Sequence, residues 1–150
     1  MTTFEDDLAA AQAPEDEYAD VLVLINKKPH TLRFRPMDGL SWAAETDRHP
    51  PRPNVVVDSK YGYNIRTLTK GAAPQCGVLV VDGEEHQLQV DPFDPEHPTA
   101  GRVNQWEQLF KAISGHEFKR ITDVIWFLNE YGPQKEIEAA GKALADSAKS

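Results

Sequence analysis

The stretch SWAAETDRHPPRP, residues 41–53, sets Glu45, Asp47, Arg48 and His49 between Trp42 and a run of prolines. An imidazole among carboxylates is the raw material of general acid–base chemistry or of a metal site. In a helix, Glu45 also meets Arg48 at i+3 and His49 at i+4, so the same charges pair locally on a solvated face. A cation in the last turn favours the helix dipole as well. A catalytic reading of Glu45 and His49 needs a nucleophile or a second ligand, and the spacing supplies neither. The other histidines, His30, His86, His97 and His116, form no i, i+4 pair, and the single Cys76 offers no ligand set. No glycine-rich phosphate loop is present. PPRP at 50–53 reads as a helix stop followed by an extended connection. The residues therefore predict no catalytic site, no metal and no cofactor.

The elements that must position these residues alternate in character. Val21–Ile25 is a β-branched run, and Thr31–Arg35 alternates with Leu32 and Phe34 on one face. NKKPH between them reads as the turn of a hairpin. Asp38 can cap a helix from Leu40 to about His49, ended by Pro50. Val55–Val57 predicts a short strand or a buried extended segment. KYGYN at 60–64 reads as a turn, and residues 65–73 as one or two helical turns ending near Pro74. Val78–Val81, Asp82-Gly83 and His86–Val90 make a second hairpin, with the strongest of short turn signals between its arms. DPFDPEHPTAG, residues 91–101, is a proline-punctuated linker.

The remainder reads as helical. Val103, Trp106, Leu109, Phe110 and Ile113 recur with the helical period, and Ser114-Gly115 ends that stripe. A second helix is predicted from about Glu117 to Tyr131, stopped by Gly132-Pro133. A third begins near Gln134 and fades into a small-residue tail. In the second helix Phe118, Ile121, Val124, Ile125 and Leu128 form a stripe. Trp126 lies about 100° from its centre and Phe127 on the opposite side. A helix apolar on two faces is either central in a bundle or meets a partner. Trp126, Phe127 and Tyr131 are accordingly the candidate partner-binding residues.

The chain of 150 residues has the length of one domain, at 40% hydrophobic and 27% charged. The expected architecture is α+β, with two small β-hairpins and a short helix followed by a C-terminal unit of about three helices. Its parts are an acidic flexible tail at 1–18, for which a frayed helix or disorder both fit, a hairpin-rich part at 19–100, a helical part of the same domain at 101–147, and a frayed end at 148–150. Residues 1–20 carry seven acids and no Lys or Arg, whereas residues 21–70 carry nine Lys/Arg against four acids. The acidic tail either lies against this basic stretch or serves solubility. A net charge of −8 argues against a nucleic-acid partner. No apolar run is long enough to span a bilayer, and the acidic start is the reverse of a signal peptide, so a cytosolic protein without membrane attachment is expected.

HTLRFRPMDGLSWAAETDRHPPRP, YGYN and W…LF…ISGHEFKRITDVIWFLNEY together resemble the tail assembly chaperones of long-tailed bacteriophages of actinobacteria, over roughly residues 20–143. The resemblance implies a protein of the host cytoplasm, absent from the mature virion. It would bind the tape measure protein, keep it soluble, and yield its place as tail tube subunits polymerise. It also implies a longer form, made by programmed frameshifting, that recruits the tail tube protein. Gly141-Lys142 can be encoded by a run of G followed by a run of A, which suits such a shift, with the tail after residue 140 as a flexible joint. No active site carries over from the family. Self-association is a further partner expectation. The alternatives are a virion structural or connector protein of the tail, whose hairpins would join a neighbour's sheet, and a small enzyme using His49 and Glu45.

Overall fold

The computed structural model describes residues 3–11 and 17–149. The elements are α1 (Thr3–Ala11), β1 (Ala19–Ile25), β2 (Lys28–Phe34), α2 (Gly39–Asp47), α3 (Val56–Tyr61) and α4 (Ile65–Cys76). They continue with β3 (Gly77–Val81), β4 (Glu84–His86), α5 (Gln105–Ala112), α6 (Gly115–Trp126), a π-helical turn (Phe127–Tyr131) and α7 (Gly132–Ala148). The α+β class and the two hairpins are as expected. The hairpins join through β2 and β3 into one antiparallel sheet of four strands, in the order β1-β2-β3-β4.

The first hairpin is tighter than expected. Asn26 and Lys27 alone make the turn, both at positive φ (53° and 63°), the twist that matches a two-residue hairpin. Lys28, Pro29 and His30 belong to β2. Pro29 is tolerated because β3 pairs with β2 only from Thr31 onward. Its partner Leu24 turns its own N–H away, to the Glu117 carboxylate at 2.6 Å. The second hairpin turns at Asp82-Gly83 as expected, but β4 spans Glu84–His86 rather than reaching Val90. Val90 instead bridges Asn104, and Asp91 N–H donates to Val103 O at 2.7 Å. The proline-rich linker is thus a loop closed at its base.

One sheet face carries the core. Val21, Val23, Leu32 and Phe34 are buried against Leu68 and Ala72 of α4, Trp106 of α5, and Ile121 and Ile125 of α6. Phe34 and Trp106 meet with ring centroids 6.0 Å apart. Gly77, where α4 passes directly into β3, lies beneath both rings: a Cβ there would come within 2.6 Å of Phe34 and 2.8 Å of Trp106. Across the helix layer, the Thr69 and Thr122 hydroxyls hydrogen-bond at 2.7 Å, joining α4 to α6. The other sheet face is open. It exposes Leu22 and Leu24 beside a network in which Arg33 bonds Asp20 and Glu85, and Arg35 bonds Glu85.

Four expectations change. Val55–Val57 is neither a strand nor an extended segment: Val55 caps α3, a helix ended by Gly62 in the left-handed region. The fully buried Asp58 explains it, since its carboxylate accepts from Arg52 N (2.9 Å), Nε (2.8 Å) and Nη2 (3.1 Å). Such a charge-assisted bidentate bond outweighs the weak helix propensity of valine. Pro74 does not stop α4, which runs on to Cys76, because in a last turn its missing N–H removes a single bond. Gly132-Pro133 does not break the C-terminal helix, and α7 runs to Ala148 instead of fading, with Lys149 as its cap. Of the expected frayed end, Ser150 lies outside the described residues. Of the expected flexible tail, residues 3–11 form α1, while residues 1–2 and 12–16 lie outside the described residues.

Trp106→Ala is expected to destabilise by roughly 3–5 kcal/mol, as a large-to-small change at a buried site does. Gly77→Ala should cost about 1–3 kcal/mol through overpacking against Phe34 and Trp106. Urea unfolding followed by circular dichroism measures both, and a neutral Gly77→Ala would refute the close packing.

Candidate partner-binding surface

The surface is built at the joint between α6 and α7. Ser114 caps α6 in a reciprocal capping box with Glu117. The stripe expected in this helix is turned inward: Ile121 and Ile125 are buried, and Phe118, Val124 and Leu128 are half-buried. At Phe127 the helix widens by a π turn, in which Gly132 N–H donates to the Phe127 carbonyl. Pro133 explains the widening, because in a regular helix its ring would crowd the carbonyl four residues earlier. Gly132 permits it, since a Cβ there would lie 2.9 Å from that same Phe127 oxygen.

The widened turn has a fixed inner side and a free outer side. Inward, Asn129 Oδ1 accepts from Met37 N at 2.8 Å while its Nδ2 donates to the Ile125 carbonyl, also at 2.8 Å. Trp42 Nε1 donates to Glu130 Oε1 at 3.4 Å. Outward stand Phe127, 49% exposed, and Tyr131, 38% exposed, with ring centroids 6.1 Å apart. The structure therefore brings the three candidate residues together but divides their roles. Trp126 is half-buried, edge-on to Tyr61 of α3 at 5.4 Å and stacked on Tyr131 at 5.0 Å, so it supports the outer pair. Phe127, Leu128, Gly132 and Pro133 line a cleft of about 420 Å³ whose far wall includes Tyr18.

Beyond the joint, α7 exposes apolar residues on a second face, about 120° around the helix from Tyr131, which the sequence reading did not count as binding surface. Among the described residues α7 has none that is buried, and it exposes Ile137 (73%) and Leu144 (74%). Ile137, Ala140, Gly141, Leu144 and Ala148 share one face at helical spacing. The i, i+7 pair of large apolar residues was the available signal, hidden among alanines.

Glu45 and His49 do come together, as the helical spacing predicts. His49 Nε2 lies 3.1 Å from Glu45 Oε1, and His49 Nδ1 lies 2.9 Å from the Thr67 hydroxyl. Carboxylate, imidazole and hydroxyl thus stand in line, with Thr67 contributed from another helix. Glu45 is not a solvated surface acid, however, but only 3% exposed. It also accepts from Gln75 Nε2 at 2.8 Å and from Arg48, and it packs where a Cβ on Gly71 would collide with it. Burial pushes its pKa up, but the Gln75, His49 and Arg48 hydrogen bonds outweigh that and hold it below the usual value. The arrangement fastens α2 to α4. One exposed cluster, Asp94, Glu96 and His97, brings metal-ligand atoms together, and there Asp94 already accepts from Glu96 N and lies 2.9 Å from His97 Nδ1. No helix among the described residues is long and apolar enough to cross a membrane.

No family model matches the chain, and neither a curated protein nor a solved structure is similar to it.

Phe127→Ser should change stability by no more than about 0.5–1 kcal/mol, the range of surface substitutions, whereas Ile121→Ala should cost roughly 2–5 kcal/mol. Equal losses in thermal melting would make Phe127 a core residue. The depressed Glu45 pKa implies a sign for acid stability: the stabilisation is full above the ordinary value of 4.5 and is lost as pH falls through the lower folded-state value. Glu45→Gln should therefore be less stable at pH 7 and should flatten the fall in unfolding free energy below pH 4.5, read from urea titrations at a series of pH values.

Proposed function

We propose that the chain is a tail assembly chaperone of a long-tailed bacteriophage, holding the tape measure protein soluble in the host cytoplasm until tail tube subunits replace it. The observation that carries this reading is the apolar surface left uncovered beyond α6: Phe127 and Tyr131 at the joint, and Ile137 and Leu144 along another face of α7. A long helical client has an apolar stripe of its own, and a helix with no buried residue is well placed to cover it. The resemblance over roughly residues 20–143 supplies the identity of the client. The small residues Ala140 and Gly141 between Ile137 and Leu144 let a second helix approach closely. A longer form shifted at Gly141-Lys142 would depart from this sequence within α7, so its added domain would follow a helical segment rather than the flexible joint read from the sequence.

Co-expression is the direct test. The tape measure protein should be soluble with this chain present and insoluble without it. Ile137→Ser with Leu144→Ser, both at exposed positions, should leave the fold intact and return the tape measure protein to the pellet. Wild-type chain that fails to solubilise it would refute the chaperone reading. A double variant that works as well as wild type would refute the α7 face alone.

A further inference from the structure

A second apolar cleft lies on the flank of α6 that faces α3 and α4. One part, about 430 Å³, is walled by Val57, Tyr61 and Ile65 against Phe118 and Thr122. A neighbouring part, about 340 Å³, adds Phe110 and Ile113, and the two share Arg66, Gly115 and Phe118. Together they form one groove between α3/α4 and α5/α6. Its rim is basic in a chain of net charge −8. Arg66, Lys70 and Lys119 stand along it, exposed, and none of the three has an ion-pair partner among the described residues. The rim acids are already engaged: Glu107 pairs with Lys111, and Asp123 accepts from the Tyr61 hydroxyl at 3.4 Å.

The complementary surface is α1. Phe4, Leu8 and Ala11 fall on one stripe, with Phe4 69% and Leu8 50% exposed. At about 100° per residue, Glu5 and Asp7 flank that stripe about 80° to either side, while Asp6 points away. An acid along each edge of an apolar stripe is what a basic-rimmed apolar groove receives. The lengths agree: nine residues of α1, and the nine of α6 from Gly115 to Asp123 that border the groove, each rise about 13 Å. Within a single chain the stripe is uncovered and the groove unfilled. We propose that α1 of a second copy occupies this groove, so that two chains exchange their acidic helices reciprocally. Phe4 and Leu8 enter over Phe118 and Ile65, and the flanking carboxylates meet Arg66 and Lys119. This does not depend on what the α7 face binds.

Sedimentation of the full-length chain across concentration and salt is the test. Wild type should form a dimer that weakens as ionic strength rises. Phe4→Ser with Leu8→Ser, and separately Arg66→Glu with Lys119→Glu, should each raise the dimer dissociation constant at least about tenfold, a loss of about 1.4 kcal/mol. All four positions are exposed, so folding should persist in both variants. Adding Glu5→Lys and Asp7→Lys to the Arg66→Glu, Lys119→Glu chain should restore the dimer. Mixing isotope-labelled chain with unlabelled chain spin-labelled through Thr3→Cys, in a Cys76→Ala background, should broaden the Ile65 and Ile113 methyl signals. Any of three results would overturn the proposal: a wild-type chain monomeric to about 1 mM, a dimer indifferent to both pairs of substitutions, or a mixed sample whose Ile65 and Ile113 methyl signals stay sharp.

Discussion

One carboxylate sets the height of the helical layer on the sheet. Glu117 Oε1 takes the Ser114 N–H at 2.9 Å and its hydroxyl at 2.8 Å, closing the start of α6, while Oε2 takes the Leu24 N–H at 2.6 Å. The helix cannot slide along β1 without breaking one set of bonds or the other. With that height fixed, Ile121 and Ile125 are buried with Val21 and Val23. The Thr69–Thr122 bond, one turn further on, fixes the same helix sideways against α4. The carboxylate also blunts an edge. The outward N–H of Leu24, which another strand would seek, is already taken, and this disfavours the edge-pairing that a connector role for the hairpins would use.

Everything beyond Trp126 inherits its direction from that placement, with one adjustment. A continuous α-helix from Gly115 to Ala148 would keep a single face toward the core. The π turn inserts extra residues per turn and so rotates α7 relative to α6. The rotation coincides with a change of environment: α6 buries three residues, and α7 buries none. Asn129 and Glu130 hold the inner side of the turn to Met37 and Trp42, so the change of face occurs at a rigid point. The exposed apolar residues of α7 are therefore carried by a helix whose base is anchored in the domain.

Local signals were legible where local physics decides. Asp82-Gly83 turns because both residues sit at positive φ, and Asp38 caps α2 because its carboxylate accepts from Ser41 N at 2.8 Å. The Trp106, Leu109 and Ile113 stripe is buried as its period demands. The misreadings have distant causes. Val56 and Val57 are helical because Asp58 answers Arg52 from within the core. Glu45 is buried because Gln75, thirty residues later, donates to it. The line from Glu45 through His49 to Thr67 was invisible for the same reason: its hydroxyl comes from α4, across the proline run and α3. Of the candidate site, the aromatic cluster was legible from its angular position. Its division into a supporting Trp126 and an outward Phe127 and Tyr131 depends on Tyr61, a contact between helices far apart in sequence.

The charge asymmetry of the sequence is resolved by the fold into something more specific than a basic half and an acidic tail. Arg33 and Arg35 are engaged by Asp20 and Glu85 on the open sheet face, Arg48 by Glu45, and Arg52 by Asp58. Glu85 is held down to about 2 by Arg35 and Arg33, so this engagement persists across all but strongly acidic conditions. Lys27 and Lys28 stand exposed at the tip of the first hairpin. In the groove between α4 and α6, Arg66, Lys70 and Lys119 are cations beside exposed apolar surface that no described acid engages. An acidic segment drawn to the sheet would meet guanidinium groups already neutralised and would leave Phe4 and Leu8 in water. At the groove it meets cations that no described acid engages, and the apolar surface of both sides is removed from solvent in the same step. Electrostatic attraction alone would leave the position of such a helix loose. The coincidence of rim charge with an apolar floor makes the position specific.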